Sequence, residues 1–244
     1  MIEEIKNLNQ YTFSNYVIES NIDTAIIPIG SIEQHGTHLP FSTDTIIVEN
    51  ISKIVAQKIN VFLLPSIYYG VSFEHEPFFN ISINYNILLN FISDICISLF
   101  KQGINRIYVI NGHHGNIGLL QYVGHDISMK YPIKEKIYYY INYWQMLDRD
   151  FDHAGEVETS LMLFLSPNLV RKDLLKKGLE LDEKYNKINK IGINMSINNP
   201  GGFIKFTKNG IWGNPFTSSS EDGKNMVDSI TEKITLLIST KDYK

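Results

Sequence analysis

Four short apolar runs, separated by longer stretches of helical periodicity, constrain this chain more than any other feature. "TAIIPIG" (24–30), "VFLLPS" (61–66), "RIYVIN" (106–111) and "KIYYYIN" (136–142) each read as a strand closed by Gly, Pro or Asn. They are apolar throughout rather than alternating, which predicts strands covered on both faces. Between them, residues 44–58 place Ile46, Ile47, Ile51, Ile54 and Val55 at helical spacing. Residues 86–101 do the same with Ile87, Leu88, Phe91, Ile92, Ile95 and Leu99, and Gly103 follows as a stop signal. Further helices are expected over 117–130, 155–165 and 221–239, the last with Met226, Val227, Ile230, Ile234 and Leu237 on one stripe. Strand–helix alternation of this kind predicts an α/β fold with a parallel sheet and right-handed crossovers.

The last third follows a different pattern. Residues 180–199 are rich in Asn and Lys and weakly helical at best. The segment 199–223, "NPGGFIKFTKNGIWGNPFTSSSEDG", is turn-rich with embedded aromatics and reads as an ordered loop or hairpin. No repeat or convincing boundary divides the chain, so residues 1–244 are expected to form a single domain.

Composition excludes several function classes. Apolar residues make up 43% of the 244, enough for a sizeable core. The formal charge of −4 is spread over interspersed acids and bases, without the basic block that grips a phosphate backbone, so nucleic acid is not an expected partner. The opening "MIEEIKNLNQ" is acidic where a secretory leader is basic, and no run approaches the roughly 20 apolar residues of a membrane span. The single cysteine, Cys96, cannot form an intramolecular disulfide and fits a reducing compartment. A cytoplasmic protein without membrane contact is expected.

Three polar clusters fall just past predicted strands or at the mouth of the next helix. The first is Glu33, His35, His38 and Asp44 in "GSIEQHGTHLPFSTD"; the second is "NGHHGN" (111–116); the third is "DHAGEVETS" (152–160). Ligands of open parallel sheets bind beyond the carboxyl ends of the strands, where such loops converge. Glu33 and His35 are two apart and share a side in extended chain, and Asp44 opens a helix, where a carboxylate is favoured. Taken singly, a histidine after a strand is usually a satisfied polar contact, and Asp44 or Glu156 a helix-start carboxylate. Three clusters at one sheet edge point instead to a site for Zn²⁺, Mn²⁺ or Fe²⁺, and a carboxylate able to bridge suits two ions. "FEHEPF" (73–78) lacks the second histidine of a His-Glu-x-x-His motif, and "IGSIE" is no nucleophile elbow.

"PIGSIEQHGTHLPFSTD", "NGHHGN", "HAGEVETS" and, more loosely, "YYGVSFEH" and "GIWGNP" resemble the creatininase (creatinine amidohydrolase) family across residues 28–215. The resemblance implies a three-layer α/β/α sandwich with a mainly parallel sheet, two divalent metal ions per chain, hydrolysis of amide-type C–N bonds, and homo-oligomers that are frequently hexamers. By position, Glu33 and His113 would hold one ion, His35 the other, and Asp44 would bridge them. Creatininase itself has a glutamate two residues after the histidine of the second loop, where this chain has Gly115. Glu156 is expected to supply the missing carboxylate, with Glu158 as the alternative. His153 matches the family's proton-transfer histidine and is the expected catalytic residue. His75 would line the substrate pocket, Gln34 and His38 would brace the first loop, and Asp152 is a candidate partner for His153. His114 and His125 carry no expected role.

Departures narrow the substrate. Creatininase closes over creatinine with two tryptophans, one of them four residues before the proton-transfer histidine. Arg149 stands there in this chain, and the nearest tryptophan is Trp144. The family's "FPGT" is replaced by "PFFN" (77–80). A cyclic amide other than creatinine, a formamide or a modified peptide is therefore the expected small-molecule substrate. The competing expectations are a mononuclear enzyme, if Gly115 goes uncompensated, and a non-catalytic ligand-binding or assembly protein on the same scaffold. The stretch 203–216, with Phe203, Phe206, Ile211, Trp212 and Phe216, is the expected subunit contact or pocket cover.

Overall fold

The computed structural model describes residues 4–132, 134–150, 152–181, 187–197 and 199–240. In chain order the elements are α1 (Gln10–Ile18), β1 (Thr24–Ile29), α2 (Thr43–Ile59), β2 (Phe62–Leu63), α3 (Tyr85–Lys101), β3 (Arg106–Asn111), α4 (Ile117–Lys130), β4 (Ile137–Asn142), α5 (Glu156–Leu165), α6 (Lys187–Ile197), α7 (Gly202–Thr207) and α8 (Ser220–Ser239). Short 3₁₀ turns link several of them.

The four strands form one parallel sheet in the order β2-β1-β3-β4. Every residue of β1 is buried, as its unbroken apolar run requires. Alternate side chains feed two cores. Ile26, Tyr108 and Ile110 pack beneath α2, α5 and α8, while Ala25, Ile27, Ile107 and Val109 pack beneath α3 and α4. The result is the expected three-layer α/β/α sandwich. A smaller cluster of Ile193, Ile197 and Phe203 sits under α6 and α7, with Leu179, Leu181 and Trp212 against it.

Sheet register positions the functional edge. Ile29 pairs with Asn111, and Asn111 with Asn142, so β1, β3 and β4 end flush. The chain runs outward from β1 to β2, then returns to place β3 on β1's other side, which makes the β1/β3 gap the topological switch point. The polar loops that follow β1 and β3 open over that gap.

Three segments differ from expectation. The strand expected at 61–66 forms regular ladder only over Phe62–Leu63, because Pro65 has no N–H to donate. The chain still tracks β1, with Leu64 N bonding Ile26 O at 2.9 Å and Ile67 N bonding Pro28 O at 2.9 Å. Residues 187–197 are helical, since Ile193 and Ile197 gain a partner in Phe203. The stretch 199–223, expected as an ordered loop or hairpin, begins with the helix α7 and continues as an ordered strap. Within that strap Trp212 exchanges backbone hydrogen bonds with His153 (3.0 and 2.8 Å). No helix among the described residues is long and apolar enough to cross a membrane.

Leu161 of α5 is wholly buried in the larger core. Leu161→Ala should lower stability by about 2–5 kcal/mol, the usual span for a buried leucine. A urea titration should show a lower midpoint with an unchanged slope.

Candidate metal centre

Glu33 and His35 project from the loop after β1, Asp44 from the first turn of α2, His113 from the loop after β3, and Glu158 from the first turn of α5. All five are nearly or fully buried. Asp44 is the point they share. Its Oδ1 lies 2.9 Å from His35 Nε2, and its Oδ2 lies 3.0 Å from His113 Nδ1. Ser31 Oγ donates to Oδ2 at 2.7 Å and fixes the carboxylate plane. Glu33 Oε1 sits 3.3 Å from His113 Nδ1, and Glu158 Oε2 sits 3.7 Å from His35 Nε2.

These donors form two triads that share Asp44, Glu33–Asp44–His113 and His35–Asp44–Glu158, and His153 makes a third group with Glu33 and His35. Within each triad the candidate ligand atoms lie within 4.8 Å of one another. The rings are held from behind. His35 Nδ1 faces Glu33 O at 3.1 Å, and His113 Nε2 faces Val71 O at 2.8 Å, so the opposite nitrogen of each ring is aimed at Asp44.

Burying three carboxylates together is costly unless positive charge accompanies them. Burial works against ionisation of Asp44 and Glu33, but the adjacent histidines outweigh it and hold both carboxyls well below the usual range. Burial likewise opposes a charged His35, yet Asp44 and Glu158 raise that ring to about 10. His113 is raised well above the ordinary histidine range by Glu33 and Asp44. Glu158, where burial dominates and His35 only partly offsets it, is pushed up to about 8. Protons thus occupy ring positions that a divalent cation would take. Glu33 Oε2 gives an independent sign: it is buried and has no hydrogen-bond partner, which suits a ligand atom and little else.

Glu156 lies outside this cluster. Its Oε1 is 3.1 Å from Arg149 Nη1, Oε2 accepts from Thr217 Oγ1 at 2.6 Å, and its side chain is 39% exposed. At about 100° per helical residue, positions 156 and 158 face opposite ways, and it is Glu158, 1% exposed, that turns inward. Gly115 leaves no room for the carboxylate it would carry in creatininase. A Cβ there would lie 2.0 Å from Val71 O and 2.8 Å from Glu74 Oε1.

His153 reaches the cluster's rim, with Nδ1 3.9 Å from Glu33 Oε1 and its ring 4.3 Å from that of His35. Burial, reinforced by His35 and His75, holds it well below the ordinary histidine range, so the ring is neutral. His75 borders the cavity, and its Nε2 lies 3.1 Å from Glu33 Oε1. His38 braces the loop, pairing through Nε2 with Thr159 Oγ1 at 2.8 Å. Asp152 does not partner His153; it caps α5, accepting from Val157 N at 3.0 Å and Glu158 N at 3.4 Å. His114 stacks on Trp144 at the cavity wall, and His125 is exposed on α4.

Glu74 was not expected here. Its Oε1 is 3.8 Å from His113 Nε2 and it lines the cavity. Its position beside His75 in "SFEH" was the available signal. The cavity over the triads has a volume of about 710 Å³, with Trp144, Leu179, Phe203 and Trp212 on its outer wall. Of the stretch 203–216, Phe203 and Ile211 are buried, Phe203 and Trp212 cover the pocket, and Phe216 is exposed.

A family model described as creatinine amidohydrolase matches residues 6–238. The chain belongs to the creatininase family. Among its relatives, the mycofactocin precursor peptide peptidase of Mycolicibacterium smegmatis is 29% identical over 246 residues, covering 91% of this chain and 89% of that protein. The creatinine amidohydrolase of Pseudomonas putida is 28% identical over 174 residues, 61% of this chain and 66% of that one. A solved manganese creatininase superposes with a TM-score of 0.83 at 21% identity, covering 98% of each chain. Creatininase-family members are metal-dependent amidohydrolases acting on carbon–nitrogen bonds, and this member carries the clustered metal donors such chemistry needs.

The two glutamates of α5 separate experimentally. Glu158→Gln should lose at least one metal equivalent per chain by elemental analysis. Glu156→Gln should keep the full complement and lose only its contacts with Arg149 and Thr217.

Proposed function

We propose that this chain is a binuclear amidohydrolase that cleaves an amide-type C–N bond in a substrate larger than creatinine. The observation that carries the reading is the double membership of Asp44: one carboxylate, with one oxygen toward each of two histidines, completes two donor triads. On this reading Glu33, Asp44 and His113 hold one divalent ion, and His35, Asp44 and Glu158 hold the other. Zn²⁺, Mn²⁺ and Fe²⁺ all suit such mixed nitrogen and oxygen donors, and solved creatininases with manganese and with zinc support the first two. Two such ions, when bound, polarise a carbonyl and bring the pKa of water towards neutrality.

The chain's own residues supply the rest. His153 Nε2 faces the backbone oxygen and the side-chain amide of Gln34 at 3.0 and 3.2 Å, which leaves Nδ1 turned toward the donor cluster. There His153 takes the proton released as the carbonyl is attacked and passes it to the departing nitrogen, which leaves poorly as an anion. Phe203 packs edge-on against His153 with ring centroids 4.8 Å apart, and with Trp212 it screens the reacting centre from bulk water.

Cavity size supports the substrate reading. About 710 Å³ lies within the range of pockets for drug-sized ligands, roughly 300–1,000 Å³, and is generous for one small ring. The relative named as a precursor peptide peptidase supports a modified peptide among the candidates. A cytoplasmic homo-oligomer, with a hexamer favoured, completes the proposal; the family resemblance and the single buried cysteine support it.

Purified protein should contain about two divalent ions per chain and hydrolyse a member of a panel of formamides, lactams and short peptides supplied with Mn²⁺ or Zn²⁺. One ion per chain would favour a mononuclear enzyme, and none would favour a ligand-binding protein on this scaffold. His153→Ala should keep its metal while turnover falls by about 10²–10⁴-fold. Full activity in that variant would remove His153 from the mechanism.

A further inference from the structure

Gln34 lies between two ligand candidates in sequence, yet its side chain turns away from both triads. Its Oε1 accepts from Gly36 N at 2.9 Å. That bond settles which end of the amide is which and leaves Nε2 as the outward group. Nε2 then stands 2.9 Å from His75 Nδ1, its shorter contact, and 3.2 Å from His153 Nε2. An amide nitrogen can only donate, so His75 Nδ1 must accept, and the neutral ring carries its proton on Nε2. Nε2 in turn lies 3.1 Å from Glu33 Oε1. The ring plane is held on the other side by Phe203, 4.6 Å away between centroids.

A remote segment closes around the same amide. Gly210 has φ +75°, and a Cβ there would sit 1.9 Å from Gln34 Oε1. The strap after α7 therefore fits only because residue 210 has no side chain, and its fit confines the amide to one pose.

We propose that Gln34 is a positioning residue acting through His75. It fixes His75 as the Nε2–H tautomer, whose N–H holds Glu33 Oε1, the oxygen 3.3 Å from His113 Nδ1, and so sets the pose of the carboxylate that would share an ion with Asp44 and His113. This rests on the two-ion reading above, and it assigns the affinity of one ion to a side chain that touches neither. Hydrogen bonds behind a ligand typically change metal affinity by about 10–100-fold.

The test uses Zn²⁺ alone as probe, with chelator competition on the full chain. Gln34→Met keeps the length of the side chain and removes the donor. Unmodified protein should hold two ions; Gln34→Met should weaken one of them by about 10–100-fold and leave the other in place. Gly210→Ala, which displaces the amide without altering it, should weaken the same ion. Ring ¹⁵N shifts of zinc-loaded protein should show His75 as the Nε2–H tautomer, and that signature should be lost in Gln34→Met. Two ions held equally tightly by unmodified protein and Gln34→Met would overturn the inference alone, as would an Nδ1–H tautomer for His75. Unmodified protein that holds fewer than two ions would overturn the binuclear reading, and this inference with it.

Discussion

The structure depends on a concentration of like charge out of water. Glu33, Asp44 and Glu158 are brought into one buried space at the sheet edge with His35 and His113 between them. Without compensating charge, burying three carboxylates is unfavourable by several kcal/mol for each ionised group. The chain offsets part of this by protonating its histidines, which is why His35 is raised to about 10. Even so, Glu33 Oε2 is left without a partner. Cations bound at the two triads would satisfy both needs at once, and the centre then contributes stability as well as chemistry.

The fold serves this centre by convergence. A parallel sheet with flush carboxyl ends delivers the loops after β1 and β3 to the switch point, and α2 and α5 bring Asp44 and Glu158 to it from one face. Each candidate donor ring is anchored on the side away from the cluster, His113 by Val71 O and His35 by Glu33 O. The outer wall comes from a different source. Phe203 and Trp212 belong to the region of α6, α7 and the strap, whose small cluster is separate from the two main cores. The backbone pairing of Trp212 with His153 ties that wall to the centre. The sheet edge thus carries the candidate donors, and a separately packed cover shapes the space above them.

Much of this was legible in residue order. Strand–helix alternation dictated the layers, and the helices 44–58, 86–101 and 117–130 lie within a residue of α2, α3 and α4. Glu33, His35, Asp44 and His113 stood out because carboxylates and imidazoles at strand ends have few other reasons to cluster. The choice between Glu156 and Glu158 was less legible. It depends on the phase at which α5 starts, and that phase is set by Asp152 accepting from the first-turn N–H groups. No spacing rule in "HAGEVETS" encodes it. The helices α6 and α7 were missed because Asn- and Lys-rich sequence has weak helical preference, and contacts between Ile193, Ile197 and Phe203 override it. Gly115 was read as a lost ligand. Val71 O and Glu74 pack into the space a side chain there would need.

Anomalous diffraction from manganese-soaked crystals tests the central claim most directly. Two peaks should flank the Asp44 carboxylate, one beside each oxygen, with Glu33 and His113 on one side and His35 and Glu158 on the other. A single peak, or peaks whose ligands exclude Asp44, would contradict the account.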